Sequence, residues 1–177
     1  MSHAILVQNS VMSKDIDSLV RSAKCSASNL DNGNVVYFGN GVSSTSGERE
    51  VWLASTPTSA SPTDLWMVAE PELVMTNAQY KGLDPDVRNF YIVAGDVFTA
   101  FKPKKFDVIT VTADAFSGTR TTETFANVAS GAYTLAWAST STSATMFKLI
   151  ETTTIALPAG SPGNGRVTAY RLECIAE

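Results

Sequence analysis

Ala132-Tyr133-Thr134-Leu135-Ala136-Trp137-Ala138-Ser139 alternates large and small side chains with a period of two. Tyr133, Leu135 and Trp137 fall on one face and Thr134, Ala136 and Ala138 on the other, as a half-buried strand requires. Ser130-Gly131 supplies a turn before it, and Thr121–Val128 lies on the far side of that turn. The two runs predict a strand pair.

Outward from this pair the same grammar repeats. Towards the C-terminus, Met146–Leu157 and Arg166–Ile175 are separated by a Pro/Gly loop, Pro158–Gly165, and Tyr170, Leu172 and Cys174 share one face. Towards the N-terminus, Val97–Lys102 and Phe106–Ala113 are joined by Pro103-Lys104-Lys105, and Asp114–Gly118 is a turn. Further back, Asn32-Gly33 and Asn40-Gly41 are turn signals that bracket Val35-Val36-Tyr37-Phe38. Glu50–Ser55 follows, with Val51 and Leu53 facing opposite to Trp52, and then Leu65-Trp66-Met67-Val68 after a loop broken by Pro57 and Pro62. Asp84-Pro85 can start a helical turn, which would bring Val87, Phe90 and Tyr91 inward. Short strands with turn signals between them predict a mainly β fold, an antiparallel β-sandwich or small β-barrel.

Residues 1–30 differ, and the expected organisation is an N-terminal arm over 1–30 and a β-rich domain over 31–177. The first thirty residues contain no glycine and no strand alternation. Ile16, Leu19, Val20 and Ala23 have helical spacing, so the segment reads either as an extended arm or as a short helix. An arm bearing Ile5, Leu6, Val7, Val11 and Met12 would lay apolar side chains into a partner's groove or add a strand to an exposed edge. Ordering it costs on the order of 1–2 kcal/mol per residue, which many copies on one lattice would offset.

Composition narrows the function. The 177 residues are 44% hydrophobic and only 17% charged, with Ser and Thr making up about a fifth; a soluble chain usually carries about 25% charge. The net charge of −4 opposes a nucleic-acid role. No apolar stretch approaches the ~20 residues of a membrane span, and the start lacks the basic region of a signal peptide. Residence in the cytoplasm, or inside an assembled particle, is expected. Cys25 and Cys174 are then expected as free thiols.

Catalytic constellations are missing. The one histidine, His3, lies in a segment expected to be loose, and the cysteines lack zinc-site spacing. Gly160-Ser161-Pro162-Gly163-Asn164-Gly165 is not followed by the Lys-Ser/Thr of a phosphate loop. Asp84, Asp86, Asp96, Asp107 and Asp114 read as caps, turns and solvent-face residues, since no twelve-residue calcium loop surrounds them. No catalytic, cofactor or metal residues are assigned, and no enzyme activity is expected. Trp52, Trp66 and Trp137 read as core, although an exposed indole would favour a sugar-binding platform.

Three stretches stand out: Leu30-Asp31-Asn32-Gly33-Asn34-Val35-Val36; Tyr80-Lys81-Gly82-Leu83-Asp84 through Asp96-Val97-Phe98 into Phe106–Phe116; and Phe147–Thr154 with Tyr170–Cys174. In them the chain resembles the small capsid decoration (head cement) proteins of tailed bacteriophages. The likeness spans about residues 25 to 177 and is one of order and style. It implies a virion structural protein that binds the outer capsid surface, bridges subunits of the major capsid protein and stabilises the head. It also implies a homo-oligomer, dimer or trimer, with no nucleic acid or membrane partner. A carbohydrate- or receptor-binding β-module of a phage fibre or tail is the alternative.

Overall fold

A computed structural model describes residues 3–42, 50–58, 62–72, 86–157 and 165–176. The strands are β1 (Leu6–Ser10), β2 (Val20–Lys24), β3 (Val35–Val42), β4 (Val51–Ser55), β5 (Leu65–Val68) and β6 (Val97–Phe101). They continue with β7 (Val108–Thr112), β8 (Phe116–Ser117), β9 (Phe125–Asn127), β10 (Leu135–Ala138), β11 (Thr145–Ala156) and β12 (Arg166–Cys174). β2 to β6 close a barrel in the order β2-β4-β3-β5-β6, because β2 pairs with β6 on one side and β4 on the other. The remaining strands form a seven-stranded sheet, β1-β7-β12-β11-β9-β10-β8.

Alternation sorts the barrel side chains into two environments. Arg21, Ala23, Phe98 and Ala100 share register across β2 and β6, and Val36 and Trp66 share it across β3 and β5. Ala23, Val36, Phe38, Trp66, Val68, Phe98 and Ala100 form the barrel's own core, with Leu30, Phe90 and Ile92. Val35, Leu65, Met67 and Phe101, from the opposite faces of β3, β5 and β6, pack instead on Ile109, Val111, Phe147 and Leu172 of the sheet. Every residue of β5 is therefore buried. That explains why its run is apolar without alternation, as in any strand covered on both faces.

The Asn32-Gly33 turn locks the two bodies. The Asn32 amide donates to the Glu70 carbonyl at 2.9 Å and accepts from the Glu70 N–H at 2.8 Å. Gly33 N–H donates to the Val68 carbonyl at 2.9 Å. Gly33 has φ +85°, and a Cβ there would meet Val111 Cγ2 at 2.8 Å. Only a residue without a side chain both adopts that backbone and lets the turn approach the sheet.

Several sequence expectations change. The start of the chain packs on the body: β1 pairs antiparallel with β7, Ala4, Leu6 and Val11 are buried in the shared core, and Ile5 is buried as well. The alternative of a short helix gives way to two 3-10 turns, Ser13–Asp15 and Asp17–Leu19, and then β2. Burying these apolar groups gains about 1.5–3 kcal/mol per large side chain, which a free arm would forgo. Asn40-Gly41, expected as a turn, lies within β3, where the pairing with β4 shifts between Phe38 and Val42. β6 and β7, adjacent in sequence, belong to different bodies. The pair that opens the sequence reading does form, with Ala136 opposite Asn127. Asp84-Pro85 lies outside the described residues, but a 3-10 turn at Val87–Asn89 follows Asp86, whose carboxylate accepts the Arg88 N–H. Phe90 is buried beyond it and Tyr91 is exposed.

Cys25 lies in the barrel core and Cys174 in the shared core, both as free buried thiols. Burial pushes the Cys174 thiol up to about 11. Burial, reinforced by the hydrogen bond to Cys25, pushes the Tyr133 phenol up to about 12. Both groups stay neutral at physiological pH.

Replacing Gly33 with Ala forces a positive φ on a side chain and overpacks Val111. The expected loss in urea denaturation is roughly 2–4 kcal/mol. A loss below about 1 kcal/mol would show that the turn does not need close approach.

Candidate functional site

Asp107 is only 4% exposed, and a buried carboxylate persists only where donors replace water. It has three. Met12 N–H donates to Oδ1 at 2.9 Å, Lys104 N–H to Oδ2 at 2.8 Å, and the Ser13 hydroxyl also donates to Oδ2. The backbone adds two bonds to the end of β12: Cys174 N–H to the Asp107 carbonyl at 2.8 Å and Phe106 N–H to the Cys174 carbonyl at 2.9 Å. One residue thus ties the exit of β1, the β6–β7 connection and the last strand. The sequence reading of Asp107 as a solvent-face residue is corrected. The carboxylate turns inward because three backbone segments converge on it.

This corner displays two large apolar side chains. Met12 is 69% exposed and Phe106 72% exposed. Phe106 has φ +77°, a left-handed backbone that is unfavourable for a bulky side chain. The Lys105 ammonium lies 5.9 Å from its ring centroid. An exposed aromatic held in a strained conformation on a rigid support has the form of a binding anchor.

Of the five residues expected to meet a partner, the structure puts only Met12 in full view. Ile5, Leu6 and Val11 are buried, and Val7 is half-buried beside Val108 and Thr110 on the outer face of the sheet. A partner could reach the buried three only by removing β1 from β7. Phe106 is the residue sequence reading missed. Its signal was weak: an aromatic beside an acid at the end of a tight Pro-Lys-Lys connection.

Exposed apolar side chains also stand on the outer wall of the barrel, on either side of a lysine. Val97, Lys24 and Leu53 are register neighbours across β6, β2 and β4. Val97 and Leu53 are exposed, as is Val93 just before β6. About 13 Å of strand separates Val97 from Phe101, beyond which the chain continues to the Phe106 corner.

The other candidate residues are placed as follows. His3 is held, not loose: its Nδ1 is 2.8 Å from Asp31 Oδ1 and its ring stacks on Tyr91 at 4.8 Å. Asp86 is buried and paired with Arg88, whereas Asp96 and Asp114 are exposed. Among the described residues no group of three or more His, Cys, Asp or Glu side chains is arranged to hold a metal ion. Trp66 is buried; Trp52 and Trp137 are half-buried, the latter stacked on Phe116 at 4.1 Å. No protein-family model, curated protein or solved structure matches this chain.

An amide at position 107 cannot accept from all three donors without turning its own N–H groups on one of them. Asp107→Asn is expected to lower stability by roughly 1–3 kcal/mol, and Ser13→Ala by about 1 kcal/mol, in urea denaturation. A neutral Asp107→Asn would show that the carboxylate does not organise the corner.

Proposed function

We propose that this chain is a non-catalytic structural protein of a virus particle. It binds the outer capsid surface and stabilises the head by bridging subunits of the major capsid protein. The observation that carries the reading is Phe106: an exposed aromatic, strained at φ +77°, beside the buried Asp107 carboxylate. Folding alone does not explain that arrangement, since a polar residue would sit there at lower cost. The Leu53–Val97 row supports bridging, because two apolar patches at opposite ends of β6 suit contact with two neighbours. Each patch is small, so affinity would come from engaging both at once and from copy number on a repeating lattice. The partner contact is thus assigned to the Phe106 corner and the barrel wall, not to an arm.

The test sets stability against binding. Phe106→Asn removes the anchor and relieves the backbone, because Asn tolerates left-handed φ. Its unfolding free energy should be unchanged or higher by about 0.5–1 kcal/mol. Its occupancy on isolated particles, measured by co-sedimentation and quantitative mass spectrometry, should fall about tenfold or more. Undiminished attachment, or absence of the wild-type protein from purified particles, would refute the proposal.

A further inference from the structure

Arg21 belongs to the barrel's inward-facing set, opposite Ala100, yet it is only half-buried. Its guanidinium lies 4.5 Å from the Trp52 ring centroid and 5.3 Å from that of Trp66. Phe38 continues the stack, 4.9 Å from Trp66 at 24° and 6.2 Å from Trp52 at 20°. Among the described residues no acceptor hydrogen-bonds the guanidinium; the indoles alone hold it. Five N–H donors on a planar fork, immobilised by stacking, are ready for an oxyanion.

The cation faces an open cleft of about 490 Å³ lined by Arg21, Tyr37, Phe38, Trp52, Trp66 and the Asp64–Lys102 pair. That is the size of a small-ligand site, and barrel mouths are a common place for one. Lys102 Nζ donates to Asp64 Oδ1 at 2.7 Å, so these two charges cancel and Arg21 is the uncompensated one in the lining. Arg21 and Trp52 also line a second depression, which they share with Asp17 and Glu50, and neither carboxylate makes an ion pair with Arg21. A monoanion fits this balance better than a phosphate dianion. Backbone strain collects here as well. Asp64 has φ +61° and Glu50 +63°, and Phe106 is the remaining non-glycine residue with positive φ among those described. Asp64 borders the site and Glu50 the second depression, so one left-handed residue lies beside each.

We propose that the barrel mouth binds an acidic sugar, its carboxylate on the Arg21 fork and its hydroxyls facing Tyr37, Asp64 and Lys102. A paired acid and base offer the acceptor and donors that vicinal hydroxyls use, and aromatic rings suit the apolar face of a pyranose. A peptide acid fits less well: peptides gain affinity by pairing with a free strand edge, and among the described residues the barrel is closed. The site is independent of the particle-binding corner.

Intrinsic tryptophan fluorescence reads the mouth directly. Glucuronate, galacturonate and N-acetylneuraminate are titrated into the full chain, with glucose, acetate, inorganic phosphate and N-acetylglutamate amide as comparators. At least one acidic sugar should give a saturable change that the comparators do not. Arg21→Gln should weaken it about tenfold or more, and Arg21→Lys less, because charge survives without the fork. If Arg21→Gln unfolds, Lys102→Ala on the rim should still weaken binding several-fold. Silence with all three sugars refutes the site. So does an equal response to acetate or phosphate, which would mean charge sensing alone, or to N-acetylglutamate amide, which would mean a peptide-acid receptor. Unchanged affinity in Arg21→Gln and Lys102→Ala also refutes it. Phe106→Asn should bind the sugar normally, so failure here and failure of the particle reading are separable.

Discussion

The wall shared by the two cores is the constraint on which the rest depends. Leu65, Met67, Val35 and Phe101 turn outward from the barrel and still find no water, because the seven-stranded sheet covers them. Trp66, Val68, Val36 and Ala100 turn inward and fill the barrel. Neither body could expose this wall without losing about 1.5–3 kcal/mol for each large side chain, so barrel and sheet stabilise each other. Gly33 sits at that contact because nothing with a side chain fits between the turn and Val111.

The start of the chain follows from the same constraint. The sheet would end at β7 without β1, leaving Val111 and Tyr170 less covered and the outer backbone groups of β7 unpaired. Ala4, Leu6 and Val11 complete that core, and Asp107 fastens the strand's exit. A terminus usually stays loose unless something ties it down; here a ladder, a core and a buried carboxylate all do.

Consistency breaks down in a few places. Most of the fold obeys local rules: strands alternate, turns carry Gly or Asn, and among the described residues no buried side-chain nitrogen or oxygen lacks a partner. Glu50, Asp64 and Phe106 break them, and they border either the barrel mouth or the Asp107 corner. Proteins tend to depart from local preference where function outweighs stability. Adhesion through Phe106 and recognition at Arg21 are two readings of that departure, each resting on its own residues.

The sequence by itself determined where most strands lie and which face of each is apolar, because period-two alternation is a local property of neighbouring side chains. Leu135 and Trp137, and Tyr170 with Leu172 and Cys174, were legible in this way. It could not determine that β6 and β7, on either side of the Pro103-Lys104-Lys105 link, part into different bodies. Nor could it show that Leu6 completes a sheet, that Asp107 faces inward, or that Arg21 meets two indoles from β4 and β5. Each of those facts depends on partners tens of residues away. The free energy that selects them comes from long-range burial and hydrogen bonding, which leaves no periodic trace in the chain.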